Sequence, residues 1–183
     1  THRLSSAASD VYKRQFYPIV TNVAFEVFSC YEFSEGAWLR ADVSIECNTP
    51  AHSRARLLAW TAIVLYPIGM LALNAGLLFT ARHTIHGDAA PTVLSEAIAF
   101  LYQEYEPVFF WWELIEMARR FVLVGAFMLV WPGSLVQLIL GTVTAAMFLL
   151  VQIQARPYKR TSDNYLASAA SFCLLVYFLC CVM

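Results

Sequence analysis

Charge is scarce in this chain. Asp, Glu, Lys and Arg make up 14% of its 183 residues, where a soluble domain carries about 25%. A soluble globule of this size needs more polar surface to meet water, so the composition argues against one. A surplus of either sign is missing as well, because the net charge is −1. That excludes a broad basic face for nucleic acid and an acidic disordered tail. The strings that mark enzymes are absent too. There is no Ser-His-Asp set, no nucleotide-binding glycine loop and no HExxH. No catalytic residue, no enzymatic activity and no cofactor is expected. CxxC and sequential Cys/His clusters are lacking, so no metal site is expected. His52, His83 and His86 are expected to be solvated loop side chains near span ends, and His2 lies in an N-terminal string set aside below.

What the chain has is oil: 60% of its residues are hydrophobic. Four stretches are long and apolar enough to cross about 30 Å of hydrocarbon, which takes about 20 helical residues. They are about 57–79, 112–131, 135–153 and 165–183. The fold class expected is all-α, a multi-pass transmembrane bundle with four complete spans. A soluble reading would need four helices apolar on every face within one small domain. Residues 16–28 are either the stub of a fifth span or an interfacial helix, since Phe16, Val20, Val23 and Val27 recur at helical spacing. Thr1 to Gln15 carries none of this pattern and reads as translated cDNA adapter sequence. The natural protein is then expected to begin upstream, with this chain its C-terminal piece. The domains expected are 1–15 as artefact, 16–56 as truncated span plus exterior loop, and 57–183 as the four-helix membrane region.

The connections fit this map. Pro132-Gly133-Ser134 is a tight turn that makes the second and third spans antiparallel neighbours. Pro157 ends the third helix, and Thr161 to Asn164 offers capping side chains to the fourth. Residues 92–105 after Pro91 read as a short amphipathic helix with Val93, Ile98, Leu101 and Tyr102 on its apolar side. Arg82, Arg119, Arg120, Arg156, Lys159 and Arg160 gather near one side, against Arg40, Arg54 and Arg56 near the other. By the positive-inside rule, loops 80–111 and 154–164 are cytoplasmic, in the plasma membrane. Cys30 and Cys47 then lie on the oxidising side, where they either form a disulfide or remain two free thiols. Cys173, Cys180 and Cys181 read as apolar packing residues.

The string from Tyr102 to Arg120 concentrates the chemistry. Glu113, Glu116 and Arg120 share a helical face, and Glu116 can reach Arg119 and Arg120. One reading is an interfacial helix start, with Trp111 and Trp112 at headgroup level. The other places Glu113 or Glu116 inside the membrane, on a cation path or a gate, because intramembrane charge is costly and marks function. Pro67 and Gly69 predict a kink in the first span. Asn74, beyond it, is a buried amide that needs a partner on another helix. Gln137 and Gln152 sit near the ends of the third span, where snorkelling explains them. Gly141 with Ala145, and Ala167 with Ser171, are small pairs for close helix packing. Lipid is the expected partner, and homo-oligomerisation stays open.

Several strings together carry a resemblance. They are Tyr17-Pro18, Phe28-Ser29-Cys30, Trp38-Leu39 with Asp42 before Cys47, Tyr66-Pro67-Ile68-Gly69, Phe100 to Pro107, Trp111-Trp112-Glu113, Ile115-Glu116, Arg119-Arg120, Pro132 to Leu138, and Arg156-Pro157-Tyr158 with Asp163-Asn164. The chain resembles the C-terminal multi-pass module of very large surface proteins of algae and oomycetes. Such proteins often carry cysteine-rich EGF-like or parallel β-helix repeats ahead of it. That module is distantly similar to the fungal transient-receptor-potential-like family, itself loosely related to polycystins. A glutamine in a span, then Arg-Pro-Tyr and Asn before the last helix, is the shared part. The resemblance implies a channel-like or receptor-like membrane region, with a non-conducting anchor as the alternative.

Overall fold

A computed structural model of the chain describes residues 19–34, 36–87, 92–125, 127 and 134–182. The expected artefact 1–15, Phe16, Pro91 and the Pro132-Gly133 turn lie outside the described residues. The chain divides into two units, Thr1–Met70 with Arg120–Pro132 and Leu71–Arg119 with Gly133–Met183. Among the described residues the structure is mostly helical, with one small two-stranded sheet.

The first unit opens with a helix, α1, over residues 19–26. It buries Thr21, Ala24 and Phe25, while Val23 faces outward. The inward stripe is therefore not the Val20–Val23–Val27 line that spacing suggested. Phe25 instead meets Phe121 edge to face at 5.8 Å and packs with Ile63. An antiparallel hairpin follows, β1 (Cys30–Phe33) and β2 (Gly36–Leu39). A disulfide between Cys30 and Cys47 ties its base to the segment after it.

Thr49 then caps α2 (Pro50–Ile63), with Pro50 at the first helical position, where its missing N–H costs nothing. The helix does not stop at Pro67. It widens through a π-helical turn, Val64–Ile68, and resumes as α3 (Gly69–Ile85). A proline cannot donate to the carbonyl four residues back and crowds it. The wider turn accommodates this, and the Gly69 N–H reaches the Val64 carbonyl five residues earlier. A Cβ on Gly69 would meet that same oxygen at 3.3 Å. The disturbance expected at Pro67 and Gly69 thus takes the form of a π turn. The continuous helix, Pro50–Ile85, has 36 residues, about 54 Å at 1.5 Å per residue. It overruns the expected 57–79 at both ends, because Thr49 supplies a cap well before the oil begins.

In the second unit, α4 (Val93–Ala97) starts with a reciprocal Thr92–Ser95 capping box. It gives way at Ile98 to a 3₁₀ turn, Ala99–Leu101. Ile98 and Leu101 are buried against Leu78, Ala81 and Phe110. Val93, expected on the apolar side, is 87% exposed. Next come α5 (Trp112–Val124), α6 (Leu135–Ala155) and α7 (Thr161–Val182). Ser134 caps α6 through the Gln137 N–H. The helix ends at Arg156, whose left-handed backbone (φ 47°) turns the chain into Pro157. Asn164 does more than cap α7. Its side chain accepts from the Tyr158 N–H at 3.2 Å and donates to the Tyr158 carbonyl at 2.8 Å, closing the turn.

Among the described residues, three helices are long and apolar enough to cross a membrane: Pro50–Ile85, Leu135–Ala155 and Thr161–Val182. The packing of the last two, α6 and α7, is inverted relative to a soluble fold. On α6 the buried residues are Gly141, Ala145 and Gln152, and on α7 only Ser171. Leu135, Ile139, Leu150, Leu166, Phe172 and Leu179 are exposed. Small and polar residues inside, with large apolar ones outside, suit helices solvated by lipid tails. Gly141 makes the close approach expected of it, since a Cβ there would come within 2.9 Å of the Phe178 ring.

Candidate functional site

The polar side chains of the second unit converge. α5 brings Glu113, Glu116 and Arg119 to successive turns of its inner face. Glu113 and Glu116 are 6% and 5% exposed. Arg119 donates through one terminal nitrogen to Glu116 Oε2 at 2.8 Å. Its other terminal nitrogen donates to Ser171 Oγ on α7 at 3.2 Å. Ser171 in turn donates to Gln152 Oε1 on α6 at 2.7 Å. The guanidinium also lies over the Phe148 ring of α6, 4.1 Å from its centroid. One arginine therefore joins three helices through a carboxylate, a hydroxyl, an amide and a ring.

A second arm runs from Glu113 outward. Its Oε2 accepts from the Tyr105 hydroxyl at 2.7 Å. Tyr105 is buried, and burial followed by the Glu113 charge pushes its hydroxyl far above the ordinary tyrosine range. It stays protonated and acts as a donor. Tyr105 also stacks on Tyr158, with centroids 5.0 Å apart. Backbone pairing fixes the stack: the Glu106 N–H donates to the Pro157 carbonyl at 2.8 Å, and the Lys159 N–H to the Glu104 carbonyl at 3.0 Å. The Lys159 ammonium adds a bond to the Gln103 carbonyl at 2.9 Å. The segment before α5 is thus laced to the link between α6 and α7.

Among the residues singled out on the sequence, Glu113, Glu116 and Arg119 share this network. Arg119 takes Glu116 at three residues' distance, as helical spacing allows. Arg120 is half-buried on α5. Asn74 finds a partner on another helix, donating to Met117 Sδ at 3.3 Å. Pro67 and Gly69 shape the π turn, and Cys30 and Cys47 are paired. Four readings are corrected. Gln152 does not snorkel; it is 2% exposed and hydrogen-bonded. Ser171 is a bonding residue before it is a small one. Trp112 does not face headgroups, because it is buried against Phe109 and Phe148. His52 is no solvated loop side chain but a buried one in the first turn of α2. Tyr105 is the network member that no motif marks; its signal in the sequence is its place in a polar-aromatic run before the span.

Searches of protein families, of curated proteins and of solved structures return no match for this chain. The geometry alone therefore carries the chemistry. A carboxylate and a guanidinium buried together neutralise each other. Among the described residues, the network offers a charge-compensated tie between helices.

Proposed function

We propose that the chain is an integral membrane domain of the transient-receptor-potential-like type, part of a larger surface protein. In this reading residues 112–131 supply a fourth crossing, beside the three helices already long enough. Loops 80–111 and 154–164 are cytoplasmic. The pairing of residues 103–106 with 157–159 supports a common side for both links, and their basic residues support the cytosol. The domain serves cation transport or sensing, with the Glu116–Arg119–Ser171–Gln152 tie setting the arrangement of α5, α6 and α7.

The observation that carries this reading is the tie itself. Ionisable groups held inside lipid-facing helices are expensive and mark moving or conducting parts. The π turn at Val64–Ile68 supports it, since such turns recur at functional sites. Recording from the complete parent protein tests it. Glu116→Gln should change gating or ion selectivity. No conductance under stretch, voltage or ligand in the parent protein would sink the channel reading.

A second reading has its own observation. Arg119 already occupies Glu116, and Tyr105 occupies Glu113, so both acids face protein groups rather than an open path. A non-conducting anchor for an adhesive or sensory ectodomain would be built this way. Under that reading Glu116→Gln lowers stability or expression and leaves any current unchanged.

A further inference from the structure

The first unit brings together three residues that lie far apart in any motif. Cys30, Cys47 and His52 place their ligand atoms within 4.8 Å of one another. Cys47 and His52 are 7% and 4% exposed. We propose that, when the disulfide is reduced, these three side chains bind a thiophilic divalent cation of the Zn(II) class, with a water in the fourth position. The disulfide and the metal site are alternative states of the same pair of sulfurs.

The imidazole already holds the tautomer this role needs. The Asn48 N–H donates to His52 Nδ1 at 3.1 Å, so Nδ1 carries the lone pair. Nε2 then carries the proton and donates it to the Val27 carbonyl at 3.1 Å. A ligating histidine almost always gives its other N–H to a carbonyl or carboxylate, which fixes ring and tautomer. The cation would take the Nδ1 lone pair in place of the Asn48 N–H.

The scaffold has backbone ties besides the disulfide. Cys30 sits in β1 opposite Leu39. The Arg40 N–H donates to the Ser29 carbonyl at 2.9 Å, and the Cys47 N–H to the Ala37 carbonyl at 2.7 Å. Thr49 caps α2 and so sets where His52 begins its turn. These backbone bonds keep all three ligands near one point after the sulfurs part. Tetrahedral zinc, with Zn–S about 2.3 Å and Zn–N about 2.0–2.1 Å, spaces its ligands about 3.5–3.8 Å apart.

The balance is simple. Two equivalents of a small thiol reduce the bond, giving two cysteine thiols and one small-molecule disulfide. Metal binding then releases the two thiol protons, and the imidazole gives up none. Two thiolates and a divalent cation leave the site neutral.

The test uses the full chain in detergent micelles, with Cys173, Cys180 and Cys181 changed to Ser so that only the paired sulfurs remain. After reduction, Co(II) should give a thiolate-to-metal charge-transfer band saturating at one equivalent and displaced by Zn(II). The oxidised chain should give none. His52→Ala should weaken Co(II) binding tenfold or more. X-ray absorption of the zinc-loaded chain with His52 intact should show two sulfur ligands and one imidazole nitrogen, whether or not the variant folds. A reduced chain that gives no band, a His52→Ala chain that binds equally well, or a zinc shell without imidazole would each overturn the proposal.

Discussion

The two units hold themselves together in opposite ways. The first uses covalent and backbone links: a disulfide, a short antiparallel hairpin, a helix cap and a histidine bonded to main chain at both nitrogens. The second uses side chains that are costly to bury: a carboxylate, a guanidinium, an amide and a hydroxyl joined in series. The hairpin end of the first unit and the apolar, outward-facing helices of the second suit different solvents. Where water competes, a lone polar contact contributes little, and a staple or a ladder is needed. Among lipid tails no apolar surface is gained by packing helix on helix, so small residues and polar ties provide the attraction.

The largest break in this comparison comes at Arg119. Arg119→Ala takes from buried Glu116 the guanidinium that pairs with it, which should cost about 3–5 kcal/mol. Unfolding of the detergent-solubilised chain by a denaturing detergent measures it. Glu116→Gln combined with Arg119→Gln should be much milder, because no bare charge remains. If the double variant is as unstable as Arg119→Ala, the pair is not coupled as described. Hydrogen exchange should lose protection in the second unit alone.

The staple comes next. The cysteines are 17 residues apart, a loop whose closure stabilises by about 3 kcal/mol in the chain-entropy model. Cys30→Ser should lower protection around residues 29–52 and spare 135–182. Equal losses in both segments would erase the distinction between the two modes of support.

Titration sharpens the contrast further. The Tyr105 hydroxyl is held far above its ordinary value by burial and by Glu113. The folded state therefore keeps this proton after the unfolded chain has lost it. Its stabilising contribution is complete below about pH 10 and shrinks as pH rises, by about 1.4 kcal/mol per unit. Tyr105→Phe should remove that slope. Stability measured across alkaline pH checks it, and an unchanged slope would mean that Tyr105 ionises as freely folded as unfolded.

Much of this was legible in the residues. The three oily helices follow from run length, and the Glu116–Arg119 bond follows from i, i+3 spacing on one helix. What was hidden depends on tertiary partners. A helix that is apolar all round has no stripe to show which face turns inward. Gln152 looked terminal because only its position along α6 was visible, not Ser171 beside it. His52 looked like a loop residue because nothing marked Asn48 as left-handed (φ 67°), the turn that delivers its N–H to the ring. The proline effect was legible as a disturbance, yet whether it resolves as a break or a π turn depends on the apolar residues on either side that keep the helix going.

The smallest effect tests whether the second unit is a tie or only a packing of small residues. Ser171→Ala keeps the size that a close-packed pair requires and removes only the hydroxyl. If smallness is what matters, stability should not change. If the hydroxyl bridges Arg119 and Gln152, the loss should approach the average for a hydrogen bond between membrane helices, about 0.6 kcal/mol, with about 1.7 as the ceiling. Gln152→Leu supplies the control. It removes the Ser171–Gln152 bond from the other side, so the two losses together should fall short of their sum. Full additivity would show two separate contacts, and the chain from Glu116 to Gln152 would then end at Arg119.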